Sequence, residues 1–240
     1  MDGRRSARAA SAACLLVALL LSGCVRAGGT PFTLTYLGHD SFALDTSKGR
    51  TILVDPYDIR NMASEAPPFP EGFAADVVTV SHGHKDHNYL AGVAGNPLVL
   101  RQAGSLRFDD LRLRIIEGRE GKPVGRLSPM VNLIAVFERD GVKVVHLADS
   151  GIVVDPKILD AICDADVVIV NIDDYVMPQD RIMPFMRQIR ARTVIPAHAE
   201  GADQLARFLR DCSDGAEVAT VGRSIELRPG MPARILVMNP

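Results

Sequence analysis

A chain of 240 residues that is 47% hydrophobic, with 27 Lys plus Arg against 29 Asp plus Glu, has room for one filled core and a short targeting segment. No low-complexity tract or repeat period interrupts it, which excludes a disordered chain and a solenoid. The formal charge of −2 becomes −4 once residues 1–23, with three Arg and one Asp, are set aside. Nucleic-acid binding rests on Lys and Arg neutralising phosphates, so an acidic domain without basic patches argues against a nucleic-acid partner.

Arg4, Arg5 and Arg8 precede an apolar run from Ala9 to Leu21 that ends in Leu21-Ser22-Gly23-Cys24, the three-region layout of an export signal. The run falls short of the roughly 20 apolar residues that a bilayer span needs. Small residues followed at once by Cys resemble the bacterial lipobox. That resemblance implies a signal peptide over residues 1–23, lipid on Cys24, and a place in the extracytoplasmic cell envelope, held to a membrane by acyl chains such as palmitate. Two or three chains would hold firmly where one is marginal. An uncleaved helix and cleavage near Ala27-Gly28-Gly29 are the alternatives, and Arg4-Arg5 lacks the residues expected after a twin-arginine signal. Residues 24–31 read as a tether and 32–240 as the folded domain.

Phe32 to Tyr36, Ser41 to Asp45 and Thr51 to Asp55 are short β-branched or aromatic segments between turns, and predict three antiparallel strands. Pro67, Pro68 and Pro70 make Asn61 to Gly72 a surface loop. Asp76 to Ser81 is almost continuously apolar and predicts a strand buried on both faces. Short strands follow from Leu98 to Glu117, and a loop from Gly118 to Met130. Asn132 to Glu138 and Val142 to Leu147 flank Asp140-Gly141, a hairpin signal. Then helices at Pro156 to Cys163, Ile182 to Arg190 and Ala202 to Cys212 alternate with strands at Val167 to Val170 and Thr193 to Pro196, and two strands close the chain. Strand-rich and strand–helix halves around one core predict an α/β fold, two sheets with helices outside, a four-layer αββα sandwich. In an oxidising location Cys163 and Cys212 either pair or serve as two small buried apolar residues.

Ser81-His82-Gly83-His84-Lys85-Asp86-His87 puts four metal donors within six residues after a core strand. His82 and His84 alternate and project to one side of an extended segment, while Asp86 and His87 turn to a second point as a helix begins. Imidazole and carboxylate suit zinc, and a catalytic site needs about three protein ligands and an open position. The order His-x-His-x-Asp-His resembles the signature of the metallo-β-lactamase superfamily. Gly38-His39-Asp40-Ser41-Phe42, Asp55-Pro56, Ala148-Asp149-Ser150-Gly151 and Pro196-Ala197-His198 resemble further motifs of its branch containing ascorbate-6-phosphate lactonase and N-acyl-phosphatidylethanolamine phospholipase D.

The resemblance implies a first metal on His82 and His84, a second on Asp86, His87 and His198, and Asp149 bridging the two. It implies Asp55 as an acid orienting the histidine loop. His39 either faces the pocket or is structural. Many members supply another histidine before the bridging Asp; here only His146 lies in that interval, either completing the first site or standing as a strand-end histidine. Asp173 and Asp174 depart from the small residues usual in close relatives, and Ala148 from the usual Gly. Asp58 and Glu65 read as solvated.

Water on one or two divalent ions loses a proton near neutral pH, so the implied activity is a hydrolase cleaving an ester, lactone or phosphodiester of a small-molecule substrate. Asp86, with His39 as the weaker candidate, would protonate the leaving group. Zn2+, two per chain, is the expected cofactor, with Mn2+ or Fe2+ accepted by the same donors. A metal-bearing binding lipoprotein without turnover is the alternative. A redox di-iron protein is disfavoured, because those relatives carry Glu where this chain has His84. The oligomeric state is not legible.

Overall fold

Two sheets form because the alternating residues of the first third and the apolar runs of the second half bury complementary faces. The computed structural model describes residues 31–60, 64–122 and 126–240; the expected signal peptide, Cys24 and most of the tether lie outside them. In chain order the strands are β1 (Thr33–Gly38), β2 (Ser41–Asp45), β3 (Thr51–Val54), β4 (Phe73–Ala74), β5 (Val77–Thr79), β6 (Val93–Ala94), β7 (Leu98–Leu100), β8 (Gly104–Phe108), β9 (Leu111–Lys122), β10 (Arg126–Arg139), β11 (Val142–His146), β12 (Val167–Asn171), β13 (Thr193–Ala197), β14 (Val218–Val221), β15 (Ser224–Glu226) and β16 (Arg234–Met238). The helices are α1 (Pro156–Ile162), α2 (Gln179–Gln188) and α3 (Ala202–Arg207), the last running into a π-helical turn, Phe208–Cys212.

One sheet has the order β15-β1-β2-β3-β5-β7, the other β14-β16-β13-β12-β11-β10-β9-β8, and β4 pairs with β6 as a short ribbon. Leu34, Phe42, Leu44 and Ile52 from the first sheet meet Leu113, Phe137, Val144, Ile169 and Ile195 from the second in the central core. Each such side chain contributes about 1.5–3 kcal/mol when fully buried. The alternate residues Val168, Val170 and Val194 face outward and are covered by Ile162 of α1, Ile182, Phe185 and Met186 of α2, and Phe208. β12 is therefore buried on both faces, which is why Val167-Val168-Ile169-Val170 shows no alternation. On the outer face of the first sheet, Leu37, Leu53 and Val78 lie under Tyr57, Ile59 and Phe69. Non-helical segments supply this outer layer, and Tyr57 pins it by donating its hydroxyl to the carbonyls of Leu37 (3.0 Å) and Pro67 (2.6 Å).

Local chemistry sets the boundaries. Asp155 caps α1 by accepting from Lys157 N, with Pro156 in the first turn where no amide is needed. Asp140 and Gly141, at φ of 53° and 79°, make the two-residue turn joining β10 to β11.

Three expectations are corrected. β5 ends at Thr79, not Ser81, because Ser81 N turns to the side chain of Asp55. No helix follows His87; Tyr89 N bonds Pro56 O and only a 3₁₀ turn, Leu90–Gly92, forms. Residues 118–130 are not mainly a loop, because β9 and β10 continue to pair through Leu127↔Gly121 and Arg126↔Lys122 after a register shift. Of the two alternatives open for Cys163 and Cys212, the structure has the unpaired one, with both thiols free and half-buried.

Candidate metal centre

The carboxyl ends of β3, β5, β11, β12 and β13 lie along one rim of the sandwich, and the polar residues that follow these apolar strands collect there. Ligands in open α/β sheets commonly bind at such strand ends. His39 and Asp40 join from the β1–β2 connection. The backbone is strained at this rim: His39, Asp55, Ala148 and His198 have φ of 52°, 44°, 48° and 58°, a region costly for residues with a Cβ and concentrated at functional sites.

Two groups of donors result. Asp86 Oδ2 lies 3.4 Å from both His39 Nε2 and His198 Nε2 and 3.7 Å from His87 Nε2. His87 and His198 face each other, Nε2 to Nε2, at 3.2 Å. In the other group, His82 Nε2 is 3.0 Å from His84 Nδ1 and 3.4 Å from Asp149 Oδ2. The second oxygen of Asp149, Oδ1, is 3.4 Å from His87 Nε2 and 3.9 Å from His198 Nε2. Asp149 thus turns one oxygen to each group. Opposed imidazole nitrogens beside carboxylate oxygens form a donor set that a divalent cation fits, and the residues present suit two such ions.

Supporting contacts fix these rings. Asp55 accepts from Ser81 N at 2.8 Å and from Ser81 Oγ, and its Oδ2 lies 3.0 Å from His87 Nδ1. It therefore holds both ends of the histidine segment. Ser81 Oγ is 2.9 Å from His82 Nδ1. Asn171 donates to Asp149 Oδ1 at 2.8 Å, and Asn132 Oδ1 accepts from Asp149 N at 3.1 Å. Ser81, Asn132 and Asn171 were not singled out from sequence; the signal was a lone polar residue in or just after an apolar strand, such as Asn171 closing Val-Val-Ile-Val.

His146 is placed elsewhere. Its Nε2 lies 3.1 Å from the Asp40 carbonyl and 3.2 Å from Asp40 Oδ2, and it groups with Asp40 and Asp55 rather than with His82 and His84. The final residue of β11 faces the first sheet, so its imidazole is spent on the buried Asp40. Asp173 Oδ2 is 3.8 Å from His198 Nδ1 while its Oδ1 accepts from Tyr175 N and Val176 N, and Asp174 accepts from Gln179 N at the start of α2. Glu65, read as solvated, accepts from Ala202 N at the start of α3. Asp58 is surface-lying and paired with Arg60.

The electrostatics differ between the groups. Burial and the neighbouring His87 lower the His82 pKa to about 4. Burial also lowers that of His39. Burial opposes charge on His198, yet the Asp86 hydrogen bond and the Asp149 charge raise it to about 9, and Asp149 with Asp55 likewise holds His87 well above its usual value. Burial would raise Asp149, but His87 and His198 bring it down to about 2. Asp86 is held below the carboxylate range by His198 and His39 despite burial.

A family profile described as the Beta-lactamase superfamily domain matches residues 33–198. A metal-dependent hydrolase of Pelotomaculum thermopropionicum is 25% identical over 225 residues, covering 82% of this chain and 97% of that one. One from Methanosarcina barkeri is 23% identical over 227 residues, covering 82% and 96%. Among solved structures, a Thermotoga maritima protein described as a Zn-dependent hydrolase of the metallo-β-lactamase superfamily is 27% identical, with a TM-score of 0.68 and coverage of 86% of this chain and 98% of that one.

Proposed function

The chain belongs to the beta-lactamase superfamily, and on that premise we propose that it is a metal-dependent hydrolase acting on a small ester, lactone or phosphodiester, in the manner of the lactonase and phosphodiesterase branch its motifs resemble. The observation that carries this reading is Asp149, with Oδ2 toward His82 and Oδ1 toward His87 and His198. His82, His84 and Asp149 would hold one divalent ion, and Asp86, His87, His198 and Asp149 the other. Such ions supply Lewis acidity and lower the pKa of water to about 7. Zn2+ suits the donors best, and Mn2+ or Fe2+ is acceptable to them.

The chain's own groups supply the rest. His39 Nε2 lies 3.4 Å from Asp86 Oδ2, and Asp86, with His39 as the weaker candidate, would pass a proton from water to the leaving group. Asp55 and Ser81 keep the His82 and His87 rings oriented, which preserves donor geometry without reorganisation. A cleft of about 260 Å³ beside His82 is lined by Val80, Ser81, Gly83, Arg101, Val131 and Leu133. Arg101 suits an anionic substrate group and the aliphatic residues its apolar remainder. Lipidation at Cys24 would place this cleft outside the cytoplasm at a membrane surface.

The test is metal analysis of the purified full-length protein with a screen of lactones, phosphodiesters, esters and β-lactams. Two divalent ions per chain and metal-dependent turnover are expected. Tightly held metal without turnover on any class would overturn the hydrolase reading in favour of a metal-binding lipoprotein. Mass spectrometry of the native N-terminus, expected to begin at acylated Cys24, tests the anchor separately.

A further inference from the structure

We propose that Glu120 is a ligand of the metal position formed by His82, His84 and Asp149; this rests on the metallohydrolase reading and extends it to a residue outside the histidine motif. Those three residues supply three donors, and His146, the imidazole expected to complete them, is committed to Asp40. A carboxylate oxygen of Glu120 instead converges with the donor atoms of His84 and Asp149, all within 4.8 Å of one another.

Glu120 is 5% exposed and its Oε2 is buried without a hydrogen-bond partner. A carboxylate removed from water without a donor or cation is strongly disfavoured. A divalent ion between Glu120 and Asp149 would neutralise both.

The backbone is built to keep the side chain there. Gly121 N bonds Asp149 O at 2.8 Å and Gly151 N bonds Arg119 O at 3.2 Å, while Glu120 and Ser150 form an antiparallel bridge. The segment carrying Glu120 is thereby fastened to the one carrying Asp149. Two glycines permit this packing: a Cβ at Gly151 would lie 3.0 Å from Gly121 Cα, where the two segments meet, and a Cβ at Gly121 would lie 1.7 Å from Val176 O, against which β9 packs on its other side. The resulting position has two imidazoles and two carboxylates, a harder donor set than three imidazoles would give.

The experiment titrates Zn2+, and Co2+ as a spectroscopic probe, into metal-free full-length wild type, Glu120→Gln and Glu120→His, with stoichiometry read by elemental analysis. Wild type is expected to bind two ions. Glu120→Gln should keep one tight site and weaken the other by about 10-fold to 100-fold or more, the scale seen when groups supporting a metal are lost. Glu120→His should restore two sites with an altered Co2+ absorption spectrum, and this arm decides the matter if Glu120→Gln does not fold. Two sites of wild-type affinity and spectrum in both variants would overturn the proposal. So would a Glu120→Gln protein that retains both metals yet loses turnover, which would move Glu120 to proton transfer. Wild type that binds no metal would sink the metallohydrolase reading itself.

Discussion

On one side of Asp149, the donors Asp86, His87 and His198 are 7%, 0% and 6% exposed and come from two distant parts of the chain. On the other, His82 is buried but His84 is exposed, and Glu120 arrives on the long β9–β10 ribbon. When empty, the inner group holds a proton between His87 and His198, with His198 raised to about 9, whereas His82, lowered to about 4, is neutral. One region is an enclosed cage that must release a proton before it accepts a cation; the other is open to solvent at His84, and its His82 ring is already neutral. The difference suggests a division of labour: the cage would hold the Asp149 carboxylate that faces both groups, and the open side would meet substrate.

The sharpest way to break this comparison is to remove the group the two regions share. Asp149→Asn keeps shape but cannot serve two cations as an anion, so metal affinity at both positions should fall on the order of 100-fold or more, with turnover lost in parallel. Elemental analysis and activity check it, and full metal content would show that Asp149 does not join the sites. Acidity should separate the regions next. The proton held between His87 and His198 competes with metal, so cage affinity should drop about tenfold per pH unit as pH falls below about 9, while His82, lowered to about 4, adds no such competition near neutral pH. Proton release measured calorimetrically in buffers of different ionisation enthalpy reports it, and equal pH profiles for the two ions would contradict the contrast.

A smaller effect on metal is expected behind the cage. His146→Ala removes the cation nearest to the fully buried Asp40 and leaves His87 Nδ1 at 3.9 Å, so the metal-free protein should lose on the order of 3 kcal/mol while both ions still bind. Denaturant unfolding and stoichiometry together decide this, and loss of one ion would restore His146 as a ligand. The smallest effect belongs to Ala148→Gly. Relief of an αL Cβ at φ 48° is offset by the lost buried methyl and the extra freedom of Gly, so stability should change by less than about 1 kcal/mol. A larger change, or lost metal, would show that this Ala tunes the Asp149 turn.

The cage and the open side also differ in how far they could be read from sequence. His82, His84, Asp86 and His87 stand in one run and were legible as donors from their spacing, whereas the convergence of Asp149 and His198 on them was legible only through the resemblance of Ala148-Asp149-Ser150-Gly151 and Pro196-Ala197-His198 to family motifs. Glu120 was not, because Gly118-Arg119-Glu120-Gly121-Lys122-Pro123 carries turn signals, and only the resumed β9–β10 pairing shows it to be strand. His146 misled for the opposite reason. Its parity within β11 sends it toward the first sheet, which depends on register and cannot be counted from motif spacing. The layered fold was legible from the switch between strand-rich and alternating halves, but the Tyr57–Phe69 cover was not, since it has no periodicity to detect.

His198 N bonds the carbonyl of His39 at 2.8 Å, and their rings lie 3.8 Å apart, although 159 positions separate them in the chain. This contact cannot form until both sheets have closed on each other, and loop-closure entropy makes such long-range pairings late events in folding. A nascent or partly unfolded chain would own the His82–His87 run but not the cage. Metal capture is therefore expected to be the final step of maturation, after the chain has finished folding, and the ion then acts as a latch that slows the reverse reaction more than it speeds the forward one.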